Sequence, residues 1–487
     1  MADLTIEKVN EVYLRISTEP HIEYELRDRF TFEVPNMKFM PQYRRRHWNG
    51  EIHLFDTRTK RIYVGLLDKV IAFCEKSEYS FEFVNNKFYG LPFEVNEMIC
   101  KEGVKDFMAS IASLKPRDYQ IDAVHDALRY NRKLLISPTA SGKSFMIYSV
   151  VRFHVGLKRK VLLVVPTTSL VEQMFKDFQD YGWDAENHCH RIYAGRERVN
   201  TNEVTITTWQ SVYQLDRVFF EEYDVIIGDE AHLFKSKSLI GIMDKCHHAK
   251  YRYGFTGTLD GTQTHKWVLE GLFGPSYKVT GTKKLIDEGY LAKLDIQCLV
   301  LKHSPQKFDT YEDEIKYLIS HENRNKFISN LSVDLKGNTL VLYTRVETHG
   351  AILYDLINSK VSTGRKVFFI HGGVDAESRE QVRKITEEEK DAIIVASFGT
   401  FSTGINIKNL HNVIFASPSK SRIRNLQSIG RVLRKGKDKV KAKLYDIADD
   451  ATIGSRKNYT LNHFIERVKI YVQEQFNYEI IPINLKD

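Results

Sequence analysis

The sequence predicts an α/β protein in which two tandem doubly wound parallel-sheet domains follow a small α+β N-terminal module. Three observations carry that expectation. From Lys133 onward, short β-branched runs alternate with longer helical segments, the pattern of parallel strands joined by crossover helices. These runs form two series of five, each spread over about 150 residues, the size of one domain. Before residue 113 that alternation is missing, and shorter mixed elements replace it.

The elements follow in order. In the first 112 residues, alternating segments at Tyr24–Val34 and Ile52–Phe55 suggest strands, and Leu66–Glu75 suggests a helix. Buried strands are expected at Lys133–Ser137, Lys160–Val165, Val204–Thr208, Asp224–Gly228 and Tyr251–Thr256. The second series is Thr339–Thr344, Lys366–Ile370, Ala392–Ser397, Asn412–Ala416 and Lys443–Ile447. Residues 260–335 are less regular and are expected to hold the connection. Near the end, Phe464, Val468, Val472 and Phe476 form an apolar helical stripe, followed by an extended Tyr478–Leu485. Domain limits are set at 1–112, 113–290 and 291–487.

Composition excludes several classes. Of 487 residues, 42% are hydrophobic and 28% charged, which rules out bulk disorder. The strongest apolar run, Val161–Val165, is strand-sized, so no membrane span is expected. Met1, Ala2, Asp3 and Glu7 do not open a secretory signal. Five scattered cysteines do not make a disulfide framework, and an intracellular, cytoplasmic setting is expected (the host cytoplasm for a phage-encoded protein). His188-Cys189-His190 and Cys246-His247-His248 lack the ligand spacing of a structural zinc site.

The net charge of +8 is concentrated. Between Asn406 and Leu444, eleven basic residues face Asp438 alone, which by itself exceeds the net charge of the whole chain. A second cluster at Lys38–Arg61 includes Tyr43-Arg44-Arg45-Arg46-His47-Trp48, arginines interleaved with aromatics. That composition suits phosphate gripping and base stacking, and Arg44, Arg45, Arg46 and Trp48 are candidate DNA contacts. The alternative is a solvated basic turn anchored by Trp48.

Three motifs carry chemistry. The first expected strand runs into Pro138-Thr139-Ala140-Ser141-Gly142-Lys143-Ser144 and then a helix, the setting in which a helix N-terminus cradles phosphate. Lys143 would reach the β- and γ-phosphates and Ser144 would ligate Mg²⁺, although Ser137 stands where such loops usually begin with glycine. Next, Asp229-Glu230-Ala231-His232 closes an apolar strand expected to neighbour the first. Asp229 would hold Mg²⁺ through water and Glu230 would polarise the attacking water. Finally, Gln427-Ser428-Ile429-Gly430-Arg431-Val432-Leu433-Arg434 places Arg431 and Arg434 on one helix face, where guanidinium groups suit a transferring γ-phosphoryl.

With these in order, the chain from Leu114 to about Asp449 resembles the superfamily-two helicases of the DEAH-box-like kind. The resemblance implies RecA-like domains, ATP and Mg²⁺ as cofactors, and further roles. Arg117 and Gln120 would recognise adenine, with Gly404 and Asn406 near the nucleotide, although many relatives carry Asp at the latter. Gln427, Arg431 and Arg434 would act on the γ-phosphate. His232, Thr256 and Thr258 would couple ATP state to strand grip. DNA contacts are implied at Thr167, Thr208, Gln210, Thr344, Arg345, His371, Gly372 and Thr400.

Within that group, Leu272-Phe273-Gly274-Pro275, Glu288-Gly289-Tyr290-Leu291 and the short tail resemble the DNA repair, recombination and restriction motors. The implied activity is ATP-driven, 3′ to 5′ remodelling of forks, Holliday junctions and R-loops in recombination, repair and replication. The implied partners are branched or single-strand-containing DNA, RNA in R-loops, and other recombination or single-strand-binding proteins. Lys435 to Lys443 are left to face a nucleic-acid backbone. The alternatives are an RNA helicase, the motor subunit of a restriction system, and a strand-annealing binder in which ATP plays a minor part.

Overall fold

The structure, a computed structural model, describes all residues except 1, 35–36, 194–201, 405–406, 408, 418, 436–438, 440 and 486–487, and the side chains of 376 and 402–404. Its contacts separate two compact units, one of residues 1–137 and 142–279, the other of residues 138–141 and 280–487.

The first unit opens with β1 (Leu4–Lys8), β2 (Tyr13–Thr18), β3 (Thr31–Glu33), β4 (Glu51–His53), β5 (Arg61–Tyr63) and β6 (Phe81–Val84). Four of these form a mixed sheet in the order β5-β2-β1-β6, and β3 pairs with β4. The expected helix appears as Leu67–Lys76. The alternation assigned to Tyr24–Val34 is corrected, because Pro20–Arg29 is a helix. Pro20 starts it, and Ile22, Leu26 and Phe30 recur every four residues to fill one buried face.

Beyond them lie β7 (Arg132–Ile136), β8 (Val161–Val165), β9 (Cys189–Ile192), β10 (Val204–Thr208), β11 (Val225–Asp229), β12 (Tyr251–Thr256) and β13 (Ser276–Lys278). Among the described residues they form a seven-stranded sheet, β13-β7-β12-β11-β8-β10-β9, with every pairing parallel. The five expected strands are present, and β9 and β13 add both edges. The strand ending in Asp229 does not neighbour the strand entering the phosphate loop, as expected from sequence; β12 lies between them.

The small module and this sheet share one hydrophobic core. Leu4, Ile6, Leu26 and Phe30 of the module cluster with Leu134, Ile226, Trp267 and Phe273. Phe30 and Phe32 pack on Trp267 with ring centroids 5.4 and 5.1 Å apart. Gly65 lies so near helix Gln263–Phe273 that a Cβ there would stand 2.0 Å from the Glu270 carbonyl oxygen. Only glycine admits that approach.

The second unit contains β14 (Lys293–Lys302), β15 (Thr339–Tyr343), β16 (Val367–Ile370), β17 (Ile393–Ser397), β18 (Asn412–Phe415), β19 (Lys441–Asp450) and β20 (Asn477–Asn484). They form an all-parallel sheet in the order β16-β17-β15-β18-β19-β14-β20. Residues 260–335 are therefore more than a connection, since they supply ten-residue β14 and helices Tyr311–Ser320 and Glu322–Asp334. The extended tail is β20, paired in the sheet. The stripe on helix Tyr459–Gln473 is also corrected: Phe464, Arg467 and Tyr471 are buried, and Val472 is exposed. Arg467 points inward because Asp446 meets it at 2.9 Å, so a charged position completes the buried face. Buried Glu314 accepts the Tyr459 and Thr460 backbone N–H groups at 2.7 and 2.8 Å, capping that helix from outside.

Candidate nucleotide and nucleic-acid site

In an open parallel sheet, the carboxyl ends of the strands are where ligands gather. In the first unit that edge carries Ser137 just after β7, with Gly142 and Lys143 of the phosphate loop, Asp229 at the end of β11, Thr256 at the end of β12, Thr167 just after β8, and Thr208 at the end of β10. Helix Lys143–Gly156 begins at the predicted lysine, with Gly142 as its N-cap at φ +82°. A Cβ at Gly142 would also lie 2.3 Å from Gln120 Nε2. The left-handed backbone favours glycine there, and the predicted adenine-recognising Gln120 packs on the phosphate loop. The same glutamine accepts the Arg117 N–H at 3.0 Å, and Arg117 Nη1 donates to Tyr119 at 2.7 Å. In the loop, Ser141 N donates to Pro138 O at 3.1 Å and Ala140 takes φ +68°; Thr139 lies between. Ser137 continues β7, its N–H bonded to Thr256 O at 2.8 Å, so this position needs no glycine.

Lys143 Nζ stands 2.8 Å from Asp229 Oδ1 and 2.8 Å from Glu230 Oε1. Although β12 intervenes, the long lysine stem spans it. Burial works against the lysine's charge, but the two carboxylates hold its pKa above the ordinary value. Burial likewise opposes the Glu230 charge, yet Lys143 and His232 keep that carboxyl well below its usual range. Asp229 moves the other way, raised by burial with the Glu230 charge beside it. Glu230 occupies the left-handed region at φ +49°, and its N–H donates to Asp229 Oδ1 at 2.8 Å. Such a conformation persists when its surroundings over-determine it.

The predicted coupling residues meet around that turn. His232 Nδ1 is 3.0 Å from Thr256 Oγ1 and 3.3 Å from Glu230 Oε2. Thr256 gives its only hydroxyl proton to the Thr258 carbonyl at 3.1 Å, so it receives the proton of His232. Sequence reasoning missed two supports. His265 Nε2 donates to the His232 carbonyl at 3.0 Å, and Asp260 Oδ2 is 2.8 Å from His265 Nδ1. It also missed Tyr181, whose hydroxyl is 3.0 Å from Ser144 Oγ and is pushed up to about 12 by burial. Neither pairing has a spacing signature, because each joins elements far apart in sequence.

Ser144 and Asp229 offer a hydroxyl and a buried carboxylate, hard oxygen donors suited to Mg²⁺. Among the described residues, no group of three or more His, Cys, Asp or Glu could hold a metal on its own.

The nucleic-acid candidates differ in what they expose. Thr167 caps helix Thr168–Asp180, accepting Leu170 N–H at 3.4 Å. Gln210 is exposed, whereas Thr208 is buried with its hydroxyl 2.9 Å from Ser211 Oγ. In the second unit, Thr344 N donates to Ser417 at 3.0 Å, and buried Thr400 pairs with Ser397 at 2.8 Å. His371 Nδ1 accepts the Gly373 N–H at 3.1 Å, folding the loop around Gly372. Arg345 is gripped by both oxygens of Glu312, at 2.7 and 2.6 Å. In the N-terminal module Arg44, Arg45 and Arg46 are exposed, while half-buried Trp48 bonds the Glu51 carbonyl at 2.7 Å.

Two expectations change here. Gln427 and Arg431 share helix Arg422–Val432, but Arg434 lies beyond its end. Lys439 does not face outward: it is buried, held at about 7 by that burial, and donates to the Val432 carbonyl at the helix C-terminus. Lys441 pairs with Asp295. Gly404 ends helix Phe398–Gly404, and Asn406 lies outside the described residues. No described helix is long and apolar enough to cross a membrane.

Comparison with known proteins agrees with this arrangement. Residues 3–84 match the family described as DNA helicase UvsW, N-terminal; residues 113–261 match Type III restriction enzyme, res subunit; residues 322–436 match Helicase conserved C-terminal domain. The chain is 32% identical to the ATP-dependent DNA helicase uvsW of Enterobacteria phage T4, over 97% of this chain and 98% of that one. It is 23% identical to the DNA 3'-5' translocase XPB2 of Sulfurisphaera tokodaii, over 70% of this chain and 83% of the other. The crystal structure of T4 UvsW superposes with a TM-score of 0.52 at 30% identity, covering 99% of this chain and all of that one. A loop lysine joined to a paired-acid strand end, a helicase C-terminal domain and an N-terminal UvsW module thus lie in one chain, which belongs to the family of the DNA helicase UvsW.

Proposed function

We infer that this protein is an ATP-dependent DNA helicase, and we propose that it remodels branched DNA (forks, Holliday junctions and R-loops) in recombination, repair and replication, moving 3′ to 5′. The observation that carries the ATP-driven reading is the Lys143–Asp229–Glu230 cluster, with Glu230 held over His232 and Thr256. Each acid has a separate task. Lys143 leaves the carboxylates to bind the β- and γ-phosphates, Ser144 and Asp229 would hold Mg²⁺, and Glu230, still beside His232, accepts a proton from the attacking water. Mg²⁺, when bound, neutralises phosphate charge. Arg117 and Gln120 bind the base, and Arg431, with Arg434 and Gln427, supports the γ-phosphoryl.

DNA is held through phosphates by Thr167, Gln210, Thr344, Arg345, His371 and Gly372, with no base specificity. The N-terminal module adds Arg44, Arg45, Arg46 and Trp48 as the contact that favours branched substrates. ATP-dependent unwinding across a matched panel of fork, four-way junction, R-loop and plain duplex tests this. Preference for the branched substrates is expected; equal unwinding of plain duplex would overturn it. Stimulation of ATP turnover by RNA above DNA would favour the RNA-helicase reading.

A further inference from the structure

Ser144 Oγ has one described side-chain neighbour that explains its orientation, the Tyr181 hydroxyl at 3.0 Å. A serine hydroxyl that ligates a cation gives a lone pair to the metal and keeps its own proton, which then needs an acceptor. The phenolic oxygen of Tyr181 is placed to take it. Tyr181 is seated firmly: its ring packs edge-on to Phe145 at 5.4 Å and against Tyr148 at 5.1 Å, both on the helix that starts at Lys143.

Tyr181 also belongs to a second element. It is the C-cap of helix Thr168–Asp180, its N–H bonded to the Asp177 carbonyl at 3.0 Å, and the N-cap of that helix is Thr167. Thirteen helical residues make a rod about 20 Å long. One end lies at Thr167, proposed above to contact the DNA strand, and the other at the serine of the phosphate loop.

We propose that Tyr181 is a positioning residue that orients Ser144 towards Mg²⁺ and couples metal ligation to DNA grip at Thr167 through the helix between them. This rests on the reading of Ser144 as a metal ligand and Thr167 as a strand contact. Coupling of this kind is reciprocal: if DNA raises metal affinity by some factor, metal–nucleotide raises DNA affinity by the same factor. Removing the hydroxyl while keeping the ring should reduce that factor to about one.

The test titrates Mn²⁺ into the full chain with ADP, read by electron paramagnetic resonance, with and without single-stranded oligo-dT. In the wild type, DNA should tighten Mn²⁺ binding. Tyr181→Phe, which preserves the packing on Phe145 and Tyr148, should weaken Mn²⁺ about three- to tenfold, the worth of one hydrogen bond, and abolish the DNA effect. Ser144→Ala should weaken Mn²⁺ at least as much. Wild-type Mn²⁺ affinity and DNA response in Tyr181→Phe, with Ser144→Ala impaired, would overturn the role of Tyr181 while leaving the site reading intact. Lost metal affinity with a retained DNA effect would overturn the coupling. Unchanged binding in Ser144→Ala would overturn both and place the fault in the site reading.

Discussion

Lys143 Nζ lies 2.8 Å from Glu230 Oε1, so the group proposed to grip phosphate and the group proposed to activate water hold one another. ATP binding is therefore an exchange of partners for the lysine. Glu230→Gln is expected to lower ATP turnover about 10²- to 10⁴-fold, the usual worth of a positioned base, with DNA binding retained. Lys143→Ala should abolish turnover and also leave buried Asp229 and half-buried Glu230, adjacent acids, without their cation. The double variant Lys143→Ala/Glu230→Gln should then melt at a higher temperature than Lys143→Ala alone. Steady-state ATPase and thermal unfolding check both; wild-type turnover in either single variant refutes the site.

Both Glu312 carboxylate oxygens accept from Arg345 Nη2, a donor that a phosphate would take. Both side chains are substantially exposed, so the pair holds weakly and is screened by salt. Glu312→Gln should tighten single-strand binding about two- to fivefold at low salt, within the small energy of such a pair. Arg345→Ala should weaken binding and flatten the slope of log K against log salt by about 0.7. Fluorescence anisotropy over a salt series decides it, and an unchanged slope removes Arg345 from the strand contacts.

Replacing Arg44, Arg45 and Arg46 together by alanine is expected to weaken fork and junction binding more than single-strand-stimulated ATPase. All three side chains are exposed, so their truncation leaves the module's core intact. Equal loss in both assays, or none, would sink the assignment of branched-DNA recognition to this turn.

His154 is buried beside Tyr253 and Arg159, and its pKa is pushed down to about 3 by burial and by the Arg159 charge. In the unfolded chain it returns to about 6.5. The folded state therefore binds fewer protons between those values, and stability is lost as pH falls from about 6.5 towards 3. Each such histidine contributes a slope of up to ~1.4 kcal/mol per pH unit. His349, also held at about 3, adds the same sense of dependence in the second unit. Denaturant unfolding at pH 7 and 5 should show His154→Gln losing less stability on acidification than the wild type. An identical acid loss would exclude the histidine as its source.

The parts legible in the sequence were those with local signatures. β10 and β12 begin and end where the β-branched runs do, and Lys143, Asp229 and Glu230 meet as their motifs imply. Strand order was not legible: a run of valines does not say which strand lies beside it, so β12 between β7 and β11 came only from the fold. β14 escaped because its burial is not a clean alternation, and Lys439 because a basic run does not show which lysine turns inward. Two supports of the site, Tyr181 and His265, reach it across 37 and 33 residues, and Asp260 acts only through His265, so none carries a motif.

The core that joins Leu4, Ile6 and Phe30 to Leu134, Trp267 and Phe273 has a consequence for how this protein can change over generations. A recognition module on a tether could be exchanged between motors like a tool on a handle. Here its floor is the wall of the motor beside it, and Gly65 leaves no space for even a methyl group between them. If the proposed DNA contacts at Arg44–Arg46 hold, a new preference for DNA must be acquired there, at the exposed rim, while the seam stays fixed. The substrate range is open to drift; its mounting is not.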